Sequence, residues 1–188
     1  INFSKKLILN ITVDNHFYQN AIFFQLDKAY RLNNVFSPYY VDYNEATFAA
    51  DFTFVNDEMS TMTPGADYNL NYNIPTNTIT LHDPNFTAHF DIDLNYKDKW
   101  LFTFQTLFVS SMDAEYETNP TTGLNQVTQT IPAHFGVSLQ AEYIHNRALS
   151  FFAHIYNLTT QRHWLWANYP AQRFNLMVCL TYSFPTDL

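Results

Sequence analysis

Apolar and polar residues alternate with a period of two along most of the chain. The stretch 85–96 shows the pattern most regularly. A β-strand points successive side chains to opposite faces, so this period predicts a strand with one apolar and one polar side. The apolar side of this stretch consists of Phe86, Ala88, Phe90, Ile92, Leu94 and Tyr96, and the polar side of Asn85, Thr87, His89, Asp91, Asp93 and Asn95.

Similar alternation elsewhere predicts about nine strands and an all-β, antiparallel fold. The regular ones are 46–55, 85–96, 134–143 and 173–184, and the less regular ones are 2–13, 16–26, 59–72, 99–112 and 147–158. Pro64 falls inside 59–72, where it either argues against that strand or marks a bulge, because proline cannot donate to a strand ladder.

The connections between these strands alternate in length. Tight turns rich in Asn and Asp are predicted at Asp14-Asn15, 56–58, Lys97-Asp98 and His145-Asn146, and long polar loops at 27–43, 73–84, 113–132 and 159–172. Outer-membrane barrels have short periplasmic turns and long external loops. A soluble sandwich has no reason to sort its loops in this way. The pattern therefore favours a transmembrane β-barrel with all long loops at one end.

Composition agrees with this interpretation but does not establish it. Aromatic residues supply 18% of the chain and charged residues only 14%, against about 25% charged in an ordinary soluble domain. A soluble sandwich or a lipocalin-like barrel would fit the composition equally well. No run approaches the roughly 18 apolar residues of a membrane helix. The net charge of −8 argues against nucleic acid as a partner, and the single cysteine, Cys179, excludes an internal disulfide.

The strand count also bears on completeness. Bacterial single-chain barrels have an even number of strands, whereas about nine are predicted here. We therefore expect either that the chain is part of a larger barrel or that one strand near the N-terminus has been divided wrongly. The non-Met first residue, Ile1, also favours a piece of a longer protein.

The last fifty residues carry the most specific motifs. An LQAEY strand at 139–143 is followed by RALSFF at 147–152, NLTTQR at 157–162, YPAQ at 169–172 and YSF at 182–184. In their order and spacing these pieces resemble the C-terminal barrel strands of TonB-dependent receptor-like outer-membrane proteins. Upstream, from about 20 to 112, the likeness lies only in strand rhythm and turn positions.

The resemblance implies a fold and a location. It predicts that 1–188 is an outer-membrane barrel domain, the C-terminal portion of a receptor barrel in a Gram-negative bacterium, with no plug domain in this sequence. Tyr182 and Phe184 would belong to the closing-strand signal read by the barrel-assembly machinery. The chain departs from the family in having Cys179 where a glycine is usual and in continuing to residue 188 beyond the terminal aromatic.

Several polar residues are candidates for the wall of a hydrated lumen. They are Asp51, His89, Asp91, Asp93, Gln140 and Glu142. Because His89, Asp91 and Asp93 share one side of a strand, they could also bind a divalent cation. A hydrated wall needs such side chains without any ligand, so no metal or other cofactor is predicted.

Aromatic residues near the ends of strands suggest a membrane-interface belt. Trp164, Trp166 and Tyr169 fall in the loop 161–169, and Trp100 follows the short turn at Lys97-Asp98. Trp and Tyr combine an apolar body with a polar tip, which suits the boundary of the bilayer. The loop 161–169, which also contains Arg162, could instead bind a ligand or a partner protein.

Catalytic motifs are lacking. The sequence has no nucleophile elbow, no H-E-x-x-H and no glycine-rich phosphate loop, so an enzyme is not predicted. Two functions remain open: the barrel wall of a TonB-dependent importer of a solute, or a structural barrel subunit of an outer-membrane complex. The expected partners are the lipid bilayer, the barrel-assembly machinery during biogenesis, and other outer-membrane subunits or a surface lipoprotein.

Overall fold

The computed structural model describes residues 5–26, 36–56, 59–166 and 169–184. Within these ranges it contains twelve strands. They are β1 (Lys5–Leu26), β2 (Phe36–Asn56), β3 (Ser60–Tyr72), β4 (Phe86–Tyr96), β5 (Trp100–Val109), β6 (Met112–Thr118), β7 (Asn125–Ile131), β8 (His134–Ile144), β9 (Leu149–Tyr156), β10 (Trp164–Trp166), β11 (Tyr169–Pro170) and β12 (Asn175–Tyr182). A membrane-crossing helix is not found in the described ranges.

Eight of these strands form one antiparallel sheet in the order β1-β2-β3-β4-β5-β8-β9-β12. Every strand pairs with the next strand of the sheet along the chain. The remaining strands form two separate hairpins, β6-β7 and β10-β11, within the long connections. The prediction of an all-β, antiparallel fold is confirmed.

The predicted turn at Asp14-Asn15 is wrong. β1 runs through it without a break, with Asp14 opposite Thr47 and Asn15 opposite Ala46. The cross-strand partners on β2 keep both residues extended, which overrides their local preference for turns. The predicted strands 2–13 and 16–26 are therefore one strand over the described residues, and the sheet has eight strands there rather than about nine.

β1 carries a bulge a few residues later. The register shifts between Tyr18 and Ala21, and Asn20 adopts a positive φ of 53°. Asparagine tolerates this left-handed conformation better than most residues, and the Asn20 amide donates a hydrogen bond of 2.7 Å to Asp42 Oδ1. The bulge bends the β1-β2 hairpin where it extends beyond its neighbours.

Pro64 lies in β3 and interrupts one ladder rather than shifting it. On the β2 side, pairing stops after Asp51–Gly65 and resumes at Phe54–Met62 in the same register. On the other side Pro64 still lies opposite Phe90 of β4. The missing proline N–H explains why the ladder fails locally while the strand continues.

Two of the predicted short turns are confirmed. Lys97 and Asp98 both have positive φ, and the Lys99 amide donates to the Tyr96 carbonyl over 3.3 Å, as in the hairpin turn whose twist matches its strands. In the turn at 145–148, Asn146 Oδ1 accepts hydrogen bonds from the backbone amides of Ala148 and Leu149. The turn predicted at 56–58 falls largely outside the described residues.

The long connections contain more structure than predicted. Residues 113–132 form most of the β6-β7 hairpin, 159–172 include the β10-β11 hairpin, and 36–43 belong to β2, while 27–35 lie outside the described residues. The β6 segment alternates Met112, Ala114 and Tyr116 with Asp113 and Glu115. The sequence predicts a loop here because polar residues surround this short period-two pattern.

Candidate functional site

The register of the sheet sorts the side chains into two faces of opposite character. Residues directly opposite one another on neighbouring strands share a face. One such row, from β2 to β8, is Asp51–Gly65–His89–Leu107–Gly136. A second, from β4 to β12, is Asp93–Thr103–Gln140–His154–Met177. Since alternate residues of a strand also share a face, Asp91 and Glu142 join this side. All six predicted lumen candidates thus lie on one face, called the polar face below.

The opposite face is apolar across all eight strands. Its members include Leu9, Ile11, Phe48, Phe52, Leu70, Phe90, Ile92, Leu94, Phe102, Phe104, Leu139, Phe151, Ile155, Val178 and Leu180. Many of them are open to the surroundings, as with Phe52 at 45% and Val178 at 71% exposure. A soluble protein rarely exposes an apolar surface that extends across a whole sheet. This apolar face therefore has the character of a surface that contacts lipid.

The polar face carries an excess of carboxylates. In the described strands of the sheet it holds Asp14, Glu45, Asp51, Asp67, Asp91, Asp93 and Glu142. Against these, Lys6 near the end of β1 is the sole lysine or arginine that the register places on the described part of this face. Threonine hydroxyls satisfy some of the carboxylates: Thr103 Oγ1 donates to Asp93 Oδ1 over 2.7 Å, and Thr87 Oγ1 donates to Asp67 Oδ2 over 3.1 Å. The face has a negative potential that disfavours anions.

Gly65 makes room for a contact between two of the predicted residues. His89 Nε2 lies 3.5 Å from Asp51 Oδ1, although Gly65 stands between them on the intervening strand. A Cβ atom at Gly65 would collide with the Asp51 carboxylate and the His89 ring. The glycine is therefore needed for the close approach of these side chains, and nothing in the alternation of the sequence pointed to it.

We expect Gly65→Val to lower the free energy of unfolding by about 1–3 kcal/mol, the usual cost of inserting atoms into an occupied site. The loss should be smaller when His89→Ala is also present, because the truncated side chain leaves room for the valine. Urea titration of the protein in phospholipid vesicles measures both values.

Gly136→Ala is the matched control for this prediction. Gly136 lies on the same face, but an added Cβ would meet nothing closer than the Leu107 carbonyl oxygen at 3.9 Å. We expect a change of less than about 0.5 kcal/mol. Equal losses for Gly65→Val and Gly136→Ala would show that the space at Gly65 has no special role.

A cavity of about 640 Å³ lies on the polar face toward the long-connection end. Strand residues that line it include His89, Asp91, Gln105, Ser138 and Asn175. The connection between β9 and β12 contributes Asn157, His163 and Gln172. Five strands of the sheet and one long connection thus line an open cavity whose volume is typical of a small-molecule site.

Two histidines stack at the edge of this cavity. The rings of His134 and His163 have centroids 4.6 Å apart and planes inclined by 12°. His134 Nδ1 is buried and has no hydrogen-bond partner. A buried polar atom without a partner is uncommon in folded proteins.

The long connections pack on one another to form what we call the loop cap, comprising residues 73–85, 112–131, 157–166 and 169–174. Ile131 and Ala114 form its buried centre, with Met112 and Trp164 packed against them. Backbone hydrogen bonds tie the connections together, for example from the His82 amide to the Asp113 carbonyl over 2.7 Å. Burial lowers the pKa of His82 and raises the pKa of Asp113. Each group is held toward its neutral form.

The loop cap is anchored to the extended β1-β2 hairpin. Tyr39 donates a hydrogen bond from its hydroxyl to the Ile79 carbonyl over 2.7 Å, and Gln25 Nε2 donates to the Tyr116 carbonyl over 2.8 Å. The register of β1 and β2 places Tyr39 and Gln25 on the polar face. The loop cap therefore contacts the sheet on its polar side.

The predicted interface aromatics occupy two different settings. Trp100 lies on the apolar face beside the Lys97-Asp98 turn, with its ring centroid 4.6 Å from that of Tyr143. Trp166 stands 4.6 Å from the His82 ring, and Trp164 packs on the buried centre of the loop cap. Tyr169 contacts Phe36, with ring centroids 5.8 Å apart. Trp164 and Trp166 thus join long connections to one another, and Tyr169 joins one of them to β2.

The closing-strand residues lie near the opposite end. Tyr182 pairs with Leu149 at the end of β12, and its ring is 4.9 Å from that of Phe184. Phe184 is 81% exposed. The tail 185–188 lies outside the described residues.

No group of three or more His, Cys, Asp or Glu side chains within the described ranges is arranged to hold a metal. The carboxylates of Asp91 and Asp93 lie beside His89 along the strand, but among the described carboxylates only Asp51 lies within 4 Å of an imidazole nitrogen of that histidine, at 3.5 Å. Sequence reasoning missed Gln105 and Asn175, because a cavity formed by several strands leaves no local motif.

Comparison with known proteins establishes the fold. Neither a protein-family profile nor a curated protein matches the sequence. Solved structures of receptors do match: the ferric-catecholate import receptor Fiu of E. coli K12 at TM-score 0.67 and 12% identity, and the pyoverdine outer-membrane receptor FpvA of Pseudomonas aeruginosa PAO1 at 0.67 and 11%. The ferric enterobactin receptor PfeA of Pseudomonas aeruginosa matches at 0.67 and 14%.

The three matches cover 95% of this chain, which spans only 25–29% of the length of the receptors. The eight-stranded sheet therefore has the fold of part of an outer-membrane receptor barrel. This confirms the predicted TonB-dependent receptor-like barrel fold, with the sheet corresponding to part of such a barrel.

Proposed function

We propose that this chain forms part of the barrel wall of a TonB-dependent receptor that imports a solute across the outer membrane of a Gram-negative bacterium. The observation that carries the proposal is the separation of the sheet into one apolar and one polar face over all eight strands. Such a sheet meets hydrocarbon on one side and water on the other. Its unpaired edges must be closed by further strands, because backbone groups in lipid require partners.

The arrangement of the loop cap supports uptake rather than a purely structural role. Long connections at one end contact the polar side of the sheet, and a cavity lies beneath one of them. A passage lined by the polar face and entered past these connections would bind its cargo before release to the other side. The solved receptors with this fold bind or import ferric chelates, according to their descriptions.

Gene deletion in the native host tests the proposal. We expect the protein in the outer-membrane fraction, and loss of uptake of one solute too large for general porins when the gene is deleted. Uptake should return with the intact gene and should stop when the proton-motive force is collapsed. Recovery of the protein in a soluble fraction would contradict the location, and unchanged uptake of every solute tested would contradict the importer.

Cysteine labelling tests the orientation. In a Cys179→Ser background, we expect Thr121→Cys, in the turn of the β6-β7 hairpin, to react with a membrane-impermeant maleimide on intact cells. Asp98→Cys, in the short β4-β5 turn, should react only after the outer membrane is opened. Both positions are exposed in the structure, so their difference reports the side of the membrane. Labelling of Asp98→Cys alone on intact cells would reverse the topology.

A further inference from the structure

We propose that the polar-face cavity is a binding site for an uncharged, hydroxyl-rich solute such as a short neutral oligosaccharide. The inference rests on the proposed uptake function and specifies its cargo. It is based on three observations: the residues that line the cavity, the unpaired Nδ1 of His134 beside it, and the scarcity of cationic side chains on the polar face.

The lining offers both donors and acceptors of hydrogen bonds in planar groups. Gln105, Gln172 and Asn175 bring carboxamides, and Asp91 brings a carboxylate. Asn175 Nδ2 donates to Gln172 Oε1 over 2.7 Å, which leaves the Gln172 nitrogen and the Asn175 oxygen for a ligand, whereas the Asn157 nitrogen already donates to the Gln161 and Gln172 carbonyls. A carboxamide donates through its nitrogen and accepts through its oxygen. Neighbouring hydroxyl groups of a sugar, each both donor and acceptor, match such pairs of atoms.

An aromatic ring and an unpaired nitrogen complete the site. Tyr156 lines the cavity, and its ring is stacked on that of His154 with centroids 3.5 Å apart, which fixes its orientation. A fixed aromatic face suits the C–H surface of a sugar ring. His134 also lines the cavity, and its Nδ1 is buried without a hydrogen-bond partner among the described residues.

Charge argues against an anionic cargo. No lysine or arginine is found among the described residues that line the cavity. Asp91 lines it directly and Asp51 lies next to His89, within a face that carries seven carboxylates and Lys6. Phosphates, carboxylates and anionic ferric chelates are normally bound by arginine or lysine. Bringing them to this wall would cost electrostatic energy.

Charge argues against a dedicated cation site as well. The imidazoles of His89, His134 and His163 share the cavity with the single lining carboxylate of Asp91. A cation would find a single carboxylate partner in the lining, Asp91, and could recruit Asp51 only by displacing its contact with His89. An uncharged ligand avoids both costs.

Calorimetric titration of the full-length purified protein in detergent tests the inference. The probes are three neutral trisaccharides, maltotriose, cellotriose and triacetylchitotriose, together with trigalacturonate and ferric enterobactin as anions. We expect at least one neutral trisaccharide to bind and both anions to bind at least tenfold more weakly. Binding of an anion in preference to every neutral sugar, or of none of the probes, would overturn the proposal.

Matched variants locate the site. Gln105→Leu removes a lining carboxamide, and we expect about tenfold weaker binding of the neutral sugar, the loss typical of one hydrogen bond. Gln140→Leu makes the same change on the same face, outside the cavity lining, and should leave affinity within twofold. Equal affinities for the two variants would show that the sugar binds elsewhere and would overturn the assignment of the cavity.

Different results would contradict the importer function and the neutral-sugar cargo. The importer function would be contradicted by a protein found outside the outer membrane or by unchanged uptake in the deletion strain. The cargo alone would be contradicted if the protein lay in the outer membrane and supported uptake, but imported an anionic solute in place of a sugar.

Discussion

Ile92→Arg should lower the free energy of unfolding from a bilayer by about 2–4 kcal/mol, the cost of a basic side chain on the lipid side of a barrel near the midplane. Ile92 lies near the middle of β4, opposite Met62 and Phe104 on the apolar face. An arginine there cannot reach water without displacing these neighbours or thinning the bilayer. Urea titration in phospholipid vesicles, followed by tryptophan fluorescence, gives the value.

Asp93→Arg is the control for this change. It places the same charge one residue further along β4, on the polar face, and removes the hydrogen bond from Thr103. We expect a loss of about 1 kcal/mol from that bond alone. If Ile92→Arg were tolerated as well as Asp93→Arg, the apolar face would not contact lipid.

Ile131→Ala should destabilise the β6-β7 hairpin locally by about 2–5 kcal/mol without unfolding the sheet. Ile131 is 2% exposed and packs with Ala114 at the centre of the loop cap. Deleting its side chain leaves a void at the buried centre of the loop cap. Hydrogen exchange measured by mass spectrometry should show faster exchange in 112–131 and unchanged protection in β4 and β5.

The matched control lies in the same strand. Val127 is 40% exposed, so Val127→Ala should leave exchange in the hairpin nearly unchanged. Faster exchange throughout the sheet in Ile131→Ala would show that the loop cap and the sheet unfold together. The loop cap would then not be a separate unit.

The fold was largely predictable because the strands of the sheet are amphipathic. The period of two in 85–96 and 134–143 assigned each side chain to a face, and the register agrees with that assignment across β4, β5 and β8. The turn at Lys97-Asp98 was found from residues that accept positive φ.

The failures have a common physical origin in tertiary context. Asp14 and Asn15 favour turns locally, yet pairing with Thr47 and Ala46 holds them in β1. The β6-β7 hairpin is stabilised by burial of Ile131 against Ala114, which are seventeen residues apart and show no local signal. Local patterns cannot report contacts that only the assembled connections create.

The candidate site was predictable only in part. The pattern placed His89, Asp91 and Asp51 on one side of their strands. The space that lets His89 approach Asp51 depends on Gly65, and the cavity joins Gln105 of β5 to Asn175 of β12. Both features combine residues from several strands, so they appear only when the register is known.

Site-directed spin labelling along β4 tests the central claim most directly. With the full-length protein in bilayers and Cys179 replaced by serine, nitroxides are placed singly at positions 88 to 94. The account predicts that collision with oxygen peaks at the even positions, including Phe90 and Ile92, while collision with a water-soluble nickel complex peaks at the odd positions, including Asp91 and Asp93. The opposite phase, or equal access to water at every position, would contradict a sheet with one face in lipid and one in a hydrated lumen.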